Sequence, residues 1–261
     1  MTLRLPEGLA PWILPVALLA GWEIAADSGL IAARVLPAPS AVARAFAATL
    51  RDGSLVGSVG VSAGRALAGL AIGGLAGFVL GILNGLWRPA EVALDSSLQM
   101  LRNIPHLAII PLVILWFGIG EEAKIFLVSI GVLFPVYINT YHGVRTIDPG
   151  YLEMARVYRL GPLATFWRVI LPGALPAIFV GLRYGLGLMW LTLIVAETIS
   201  ASSGIGYMTM NAREFLQTDV VLLGVLIYAL LGKCSDVVVK LLERGALAWH
   251  PSYARPEEAR A

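Results

Sequence analysis

Charge is scarce in this chain. Of its 261 residues only 14% are charged, against 58% hydrophobic, and the mean hydropathy is +0.79. Water-soluble domains carry about 25% charged residues, so the deficit points to lipid as the solvent. The single cysteine, Cys234, excludes an intrachain disulfide, and three scattered histidines offer no metal-ligand spacing. In its apolar run Cys234 reads as a small buried hydrophobe. A net charge of +2 is too small to suggest a nucleic-acid partner. A phosphate-cradling G-x-x-x-x-G-K-[ST] loop is also missing: Gly232-Lys233 has Ile227 in place of the first glycine and Cys234 in place of the Ser/Thr. No G-x-G-x-x-G follows a strand pattern, and no Ser/His/Asp or paired-carboxylate motif stands out. The chain is therefore expected to be no enzyme, and to hold no metal or cofactor of its own.

What it has is apolar length. A helical crossing needs about 20 mainly apolar residues. Six runs qualify, at roughly 12–31, 61–86, 101–117, 122–142, 175–199 and 219–240, so the expectation is an all-α polytopic membrane protein with six spans. Glu23 and Asp27 sit where a small-residue cleavage site would be needed, so the first run reads as a retained span rather than a signal peptide. Orientation follows the basic residues. With both termini inside, the inner segments hold Arg4, Arg88, Arg145, Arg156, Arg159, Arg168, Arg244, Arg255 and Arg260, and the outer ones hold Arg34, Arg44, Arg51 and Arg213. Nine against four favours that arrangement. It puts 143–173 in the cytoplasm and 32–57 and 200–218 outside.

Several stretches then invite specific readings. Residues 33–52 suggest an outer-face amphipathic element, with Ser40 as N-cap and Val42, Ala45, Phe46 and Leu50 on one face. Gly69, Gly73, Gly77, Gly81 and Gly85 recur every four residues, which strips one helical ridge of side chains and lets another helix come close in lipid. Pro105 and Pro111 interrupt the third run, and broken helices of this kind often border a substrate route. Arg102, Asn103 and His106 cluster near that break. In the fifth run Glu197 is an ionisable group at membrane depth and so a candidate for function, although near the outer end it can reach interfacial water. Ser200, Ser202, Ser203 and Asn211 offer hydroxyls and an amide on the outer side, suited to an anion's path. Lys233 and Asp236 have the spacing of an internal i,i+3 ion pair.

One segment stands apart. "DPGYLEMARVYRLGPLATFWRVILPGALP", residues 148–176, is charged, amphipathic and punctuated by glycine and proline. Asp148 can cap a helix opening at Pro149, which sends Leu152, Ala155 and Tyr158 one way and Glu153, Arg156 and Arg159 the other. Gly161-Pro162 breaks that helix, and a second short one runs to Val169 ahead of Leu171-Pro172. The result is a helix–turn–helix on the inner face with a polar surface that needs a partner.

This segment resembles the EAA signature, E-A-A-x₃-G-x₉-I-x-L-P, of permease subunits in ATP-binding-cassette importers. Glu153, Ala155, Leu171 and Pro172 fall in register, Met154 replaces an alanine, and Val169 replaces the isoleucine. The signature's glycine falls at Arg159, while the nearest glycine, Gly161, comes two residues later, so the turn can sit at either. "QMLRNIPHLAIIPLVILWFGIGEEAKIFLV", "LFPVYINTYHGVRTID" and "GLRYGLGLMWLTLIVAETISASSGIGYM" extend the likeness to the nitrate/sulfonate/taurine branch, within it most to aliphatic sulfonate permeases. The resemblance implies a type I importer permease of the bacterial inner membrane. Its domains would be an N-terminal span and outer element over 1–55, the transmembrane domain over 56–242, and a tail over 243–261. It further implies a homodimer, a cytoplasmic ATPase pair that carries ATP and Mg, and a periplasmic substrate-binding protein. In such importers the EAA loop, here about 148–172, is the coupling helix that docks on the ATPase. An ion-coupled secondary transporter is the alternative reading.

Overall fold

The computed structural model describes residues 10–105 and 107–250, and among these every regular element is helical. His106 lies outside the described residues, as do Arg4, Arg255 and Arg260. The described chain divides into two compact units, one of residues up to Val61 with Ser202–Tyr228, the other of Ser62–Ala201 with Ala229 onward.

The first unit holds α1 (Ala10–Asp27), α2 (Pro39–Arg51) and α10 (Ile205–Glu214). Ser40 is not the cap of α2. Ala38 occupies that position and Pro39 opens the helix, while the Glu23 carboxylate accepts the Ser40 N–H at 3.0 Å, so an acidic side chain from α1 satisfies the helix start. Val42 and Ala45 of α2 are buried, whereas Phe46 and Leu50 of the same stripe are half exposed.

Among the described residues four helices are long and apolar enough to cross a membrane: α3 (Ser54–Leu86), α6 (Glu121–Arg145), the continuous run Pro162–Ile199, and α11 (Thr218–Ala246). The stretch 101–117, expected as one span, is not a single continuous helix. Helix α4 (Arg88–Arg102) stops at Asn103, and α5 (Ile110–Phe117) is a separate helix. Its eight residues rise about 12 Å, well short of the roughly 30 Å hydrocarbon layer. The prolines explain the division: Pro105 cannot donate to a helix continuing through it, and Pro111 fits the first turn of the next.

The second unit is organised around α6. Along α3, a Cβ on Gly69 would strike Val128, one on Gly73 the Ser129 backbone, and one on Gly77 the Leu133 carbonyl. One on Gly81 would lie 2.6 Å from Thr140 Cβ, and one on Gly85 2.7 Å from Val144 Cγ1. The opposite side of α6 packs on α9 (Leu171–Ser200) in the same manner: a Cβ at Gly143 would lie 2.8 Å from Ala177 Cβ, and one at Gly181 2.9 Å from the Pro135 carbonyl oxygen. Lipid supplies no hydrophobic drive for helix association, so close backbone approach is what joins these three helices. Val128, Val132, Val136, Leu186, Met189 and Leu193 fill the space between them.

Between α6 and α9 the chain forms α7 (Pro149–Val157) and α8 (Pro162–Thr165). The second short helix does not end before Leu171-Pro172 as the sequence suggested. A π turn over Phe166–Ile170 carries α8 directly into α9, placing Pro172 in that helix's first turn. Wider i→i+5 bonding is how a helix takes up a residue that its regular ladder cannot.

Candidate functional site

The inner segment begins as its residues dictate. The Asp148 carboxylate accepts the Gly150 N–H at 2.8 Å, and Pro149 takes the first turn of α7. Of the short helix only Ala155 is fully buried, and Leu152 is half-buried. Tyr158, expected beside them, points outward instead and is 73% exposed. With Tyr151, Met154, Val157, Leu163 and Trp167 it forms an exposed surface rich in large apolar groups. Glu153, Arg156, Arg159 and Arg168 are exposed as well, and among the described residues none of them has an ion-pair partner. Leu171 and Pro172 are half-buried where α9 begins.

The turn sits at Arg159. Its φ is +53°, the left-handed region, and the Leu160 N–H donates to the Ala155 carbonyl at 2.9 Å to close the end of α7. Gly161 has an ordinary extended backbone, φ −66° and ψ 163°, and a Cβ there would meet nothing within 4 Å. The chain thus turns where the signature has its glycine, with an arginine bearing the strain, and Gly161 has not taken over that role.

Glu197 is not open to interfacial water. It is 1% exposed and accepts from Ser62 Oγ at 2.8 Å and from Arg65 Nη1 at 2.7 Å. Arg65 also holds Glu121, with Nη2 2.6 Å from Oε1, and Lys124 approaches the same carboxylate at 3.2 Å. Two cations and two carboxylates are therefore joined across α3, α6 and α9. A second polar set ties α4 to α3 and α6: Asn84 donates to the Tyr137 hydroxyl and Tyr137 to Asp95, each at 2.8 Å, while the Tyr141 hydroxyl donates to Glu91 at 2.6 Å. A third lies between α9 and α11, where Asp236 meets Lys240 at 2.8 Å and Arg183 Nε at 3.2 Å. Its expected partner Lys233 stands off at 4.0 Å. Cys234, on the same helix, is exposed rather than buried.

Arg102, Asn103 and Pro105 are exposed at the α4–α5 break, and Pro111 is exposed in α5. In the first unit, Ser202 and Asn211 are exposed and Ser203 is half-buried. Ser200 ends α9. Sequence reasoning passed over Ser62, Arg65, Glu121, Lys124 and Arg183. The available signal was the rule that ionisable groups within spans pair with one another, since three cations lie inside apolar runs.

Family comparison decides what this assembly belongs to. The family described as binding-protein-dependent transport system inner membrane component matches residues 69–247. The chain belongs to that family. An Escherichia coli (strain K12) protein provisionally named aliphatic sulfonates transport permease protein SsuC is 59% identical over 245 residues, covering 94% of this chain and 93% of the relative. The taurine transport system permease protein TauC of the same organism is 35% identical, covering 89% and 86%. A solved amino acid ABC transporter, crystallised with histidines, superposes with a TM-score of 0.60 at 17% identity, over 76% of this chain and 97% of that one.

The structural likeness establishes the fold. This inner membrane component is all-α and has the expected type I importer permease architecture, with four spans evident by length and composition among the described residues. It is a multi-pass membrane subunit of a transport system. Glu153, Met154, Ala155, Arg159, Gly161, Leu171 and Pro172, which carry the EAA likeness, lie on the one segment that joins α6 to α9.

Proposed function

We propose that this chain is the permease subunit of an ATP-driven importer of organic anions, most closely of aliphatic sulfonates. The observation that carries this reading is the 59% identity, over nearly the full length of both chains, to a protein named for aliphatic sulfonate transport. The working assembly is a pair of these permeases, a cytoplasmic ATPase pair that binds ATP and Mg, and a periplasmic substrate-binding protein. The exposed apolar surface of α7 and α8 is the ATPase-docking face, and both termini share its side of the membrane. Ionic and catalytic chemistry on ATP belongs to the partner. The part of this chain is mechanical.

The geometry supports a simple transmission. The docking segment sits between α6 and α9, and glycine contacts hold those two helices together along their length. Force on α7 and α8 reaches α9 through an unbroken helix that includes the π turn, and reaches α6 across the Arg145–Asp148 connection. Packed helices that keep their contacts move as a body, which is how a path opens to one side at a time.

Vesicles that contain the purified permease, ATPase and binding protein provide the test. ATP-dependent accumulation of a short alkanesulfonate is expected, and taurine, nitrate and bicarbonate serve as competitors. A clear preference for taurine would move the assignment to the substrate of the 35% identical relative. Accumulation by the permease alone under an ion gradient would refute the ATP-driven reading. Orientation is read separately in a Cys234→Ser background: a cysteine introduced at position 150 should resist an impermeant reagent applied from outside.

A further inference from the structure

Arg183 is the thirteenth residue of α9, about 18 Å along the helix from Leu171 and about 26 Å from Ser200. It belongs to a helical run long and apolar enough to cross a membrane, yet the side chain is 38% exposed. Facing it from α11 are Asp236, 31% exposed, Lys240, 41% exposed, and Lys233, 68% exposed, with Glu243 Oε2 at 3.7 Å from Arg183 Nη1. Five ionisable groups on one face of two spans are not placed against lipid tails. Intramembrane charges face a protein interior or a wet cavity. Such a cavity is present, about 440 Å³, lined by Val180, Arg183, Tyr184 and Asp236. A pocket of this size falls within the range that accepts small organic ligands.

Its lining has two chemistries. Arg183 supplies a planar cation with five N–H donors, and the contacts to Asp236 and Glu243 engage a minority of them. Tyr184, 68% exposed, and Val180 supply an aromatic face and an aliphatic wall. Three cations against two carboxylates leave the cluster with an excess of positive charge. Guanidinium suits a tetrahedral or planar oxyanion held by two parallel hydrogen bonds.

We propose that this cavity is an anion-binding station on the transport route, with Arg183 receiving the acid group of an organic anion and Val180 and Tyr184 receiving its carbon chain. The inference rests on the organic-anion reading above and adds a site to it. Asp236 competes with the ligand for the guanidinium, so the anion is held weakly enough to leave.

The test measures import kinetics in vesicles carrying the complete complex, with an alkanesulfonate as substrate. A hydrogen bond to a charged group is worth about 1.5–3 kcal/mol, so Arg183→Gln should raise KM about ten- to a hundred-fold. Arg183→Lys, which keeps the charge but loses the fork, should fall between that variant and wild type. Asp236→Asn should lower KM by releasing the guanidinium. Arg183→Gln also strands Asp236, so Arg183→Gln/Asp236→Asn is measured beside it. The pair removes the cation without leaving a lone carboxylate, and it must show the same rise in KM.

An unchanged KM in the paired variant of a complex that imports normally would overturn the station and leave the proposed function standing. A wild-type complex that imports no organic anion would overturn both. The headgroup of a net-anionic lipid has the same chemistry, and vesicles made without net-anionic lipid separate the two sources. Wild-type KM unchanged there supports the transported anion. A rise of the wild-type KM to the level of Arg183→Gln assigns the pocket to lipid and overturns the proposal.

Discussion

Removing the Arg65 side chain alone should do more damage than removing it together with its partner Glu197. Arg65 is 3% exposed and Glu197 is completely buried, and they meet at 2.7 Å. Arg65→Met fills much of the same volume but leaves the Glu197 carboxylate with the Ser62 hydroxyl in place of a cation. Breaking a buried pair from one side costs about 3–5 kcal/mol, because the surviving charge keeps its desolvation penalty and loses its attraction. For a chain of this length, about 2–4 °C per kcal/mol puts the expected fall in melting temperature at roughly 6–20 °C. Arg65→Met/Glu197→Leu removes the penalty along with the attraction, and Glu121 retains Lys124 at 3.2 Å. The double variant should recover most of the loss and lie within about 1.5 kcal/mol of wild type. Thermal unfolding of the detergent-solubilised complex measures both, and the cycle closes with Glu197→Leu alone. Equal destabilisation by the single and the double variant would refute the argument, since it would show that lost side-chain packing, not a stranded charge, sets the cost.

Other expectations are shorter to state. Gly73→Leu should abolish recovery of folded complex while Gly57→Leu is tolerated, because a Cβ at 73 lands on the Ser129 backbone and one at 57 meets nothing within 4 Å; yield in size-exclusion chromatography decides. Arg159→Gly should raise thermal stability slightly, by up to about 1 kcal/mol, because glycine accepts φ +53° without a Cβ penalty. Gly161→Ala should cost nothing measurable, and a large loss there would move the turn back to Gly161. Glu153→Lys should insert and fold normally, since the side chain is exposed, yet uncouple substrate-stimulated ATP hydrolysis from import in the reconstituted complex. Full stimulation in that variant would remove this loop from the coupling role.

Much of the fold was legible because its causes are local. The α7 start is written in Asp148-Pro149, and the close approach of α3 is written in a glycine every fourth residue. The helix end at Asn103 follows from Pro105 two positions on. The misreadings came where the cause is distant in sequence. Ser40 looked like a cap, but the cap is Glu23, seventeen residues away. Glu197 drew notice as an isolated charge, and its partners Ser62 and Arg65 lie more than 130 positions back, where nothing local links them to it. Asp236 was paired with Lys233 by spacing alone, and tertiary contact with Arg183 together with the neighbouring Lys240 outcompetes that pair. Val169 looked like a helix end because Leu171-Pro172 follows, and a π turn removed the conflict.

The contact between α3 and α6 has a further consequence. It joins main chain to main chain: Gly73 lies over the Ser129 carbonyl and Gly77 over that of Leu133. Dispersion attraction is steep, and opening such a seam by 0.5–1 Å forfeits about a quarter to a half of it. At these two positions no α3 side chain stands between the backbones to stretch with them, so the middle of the joint is brittle rather than elastic, while Arg65–Glu121 and Asn84–Tyr137 bridge it on either side. It is either closed along its length or lost. A transport cycle that preserves the chain must therefore take its bending elsewhere, and the division between α4 and α5 is a place on this unit where no helical ladder has to break.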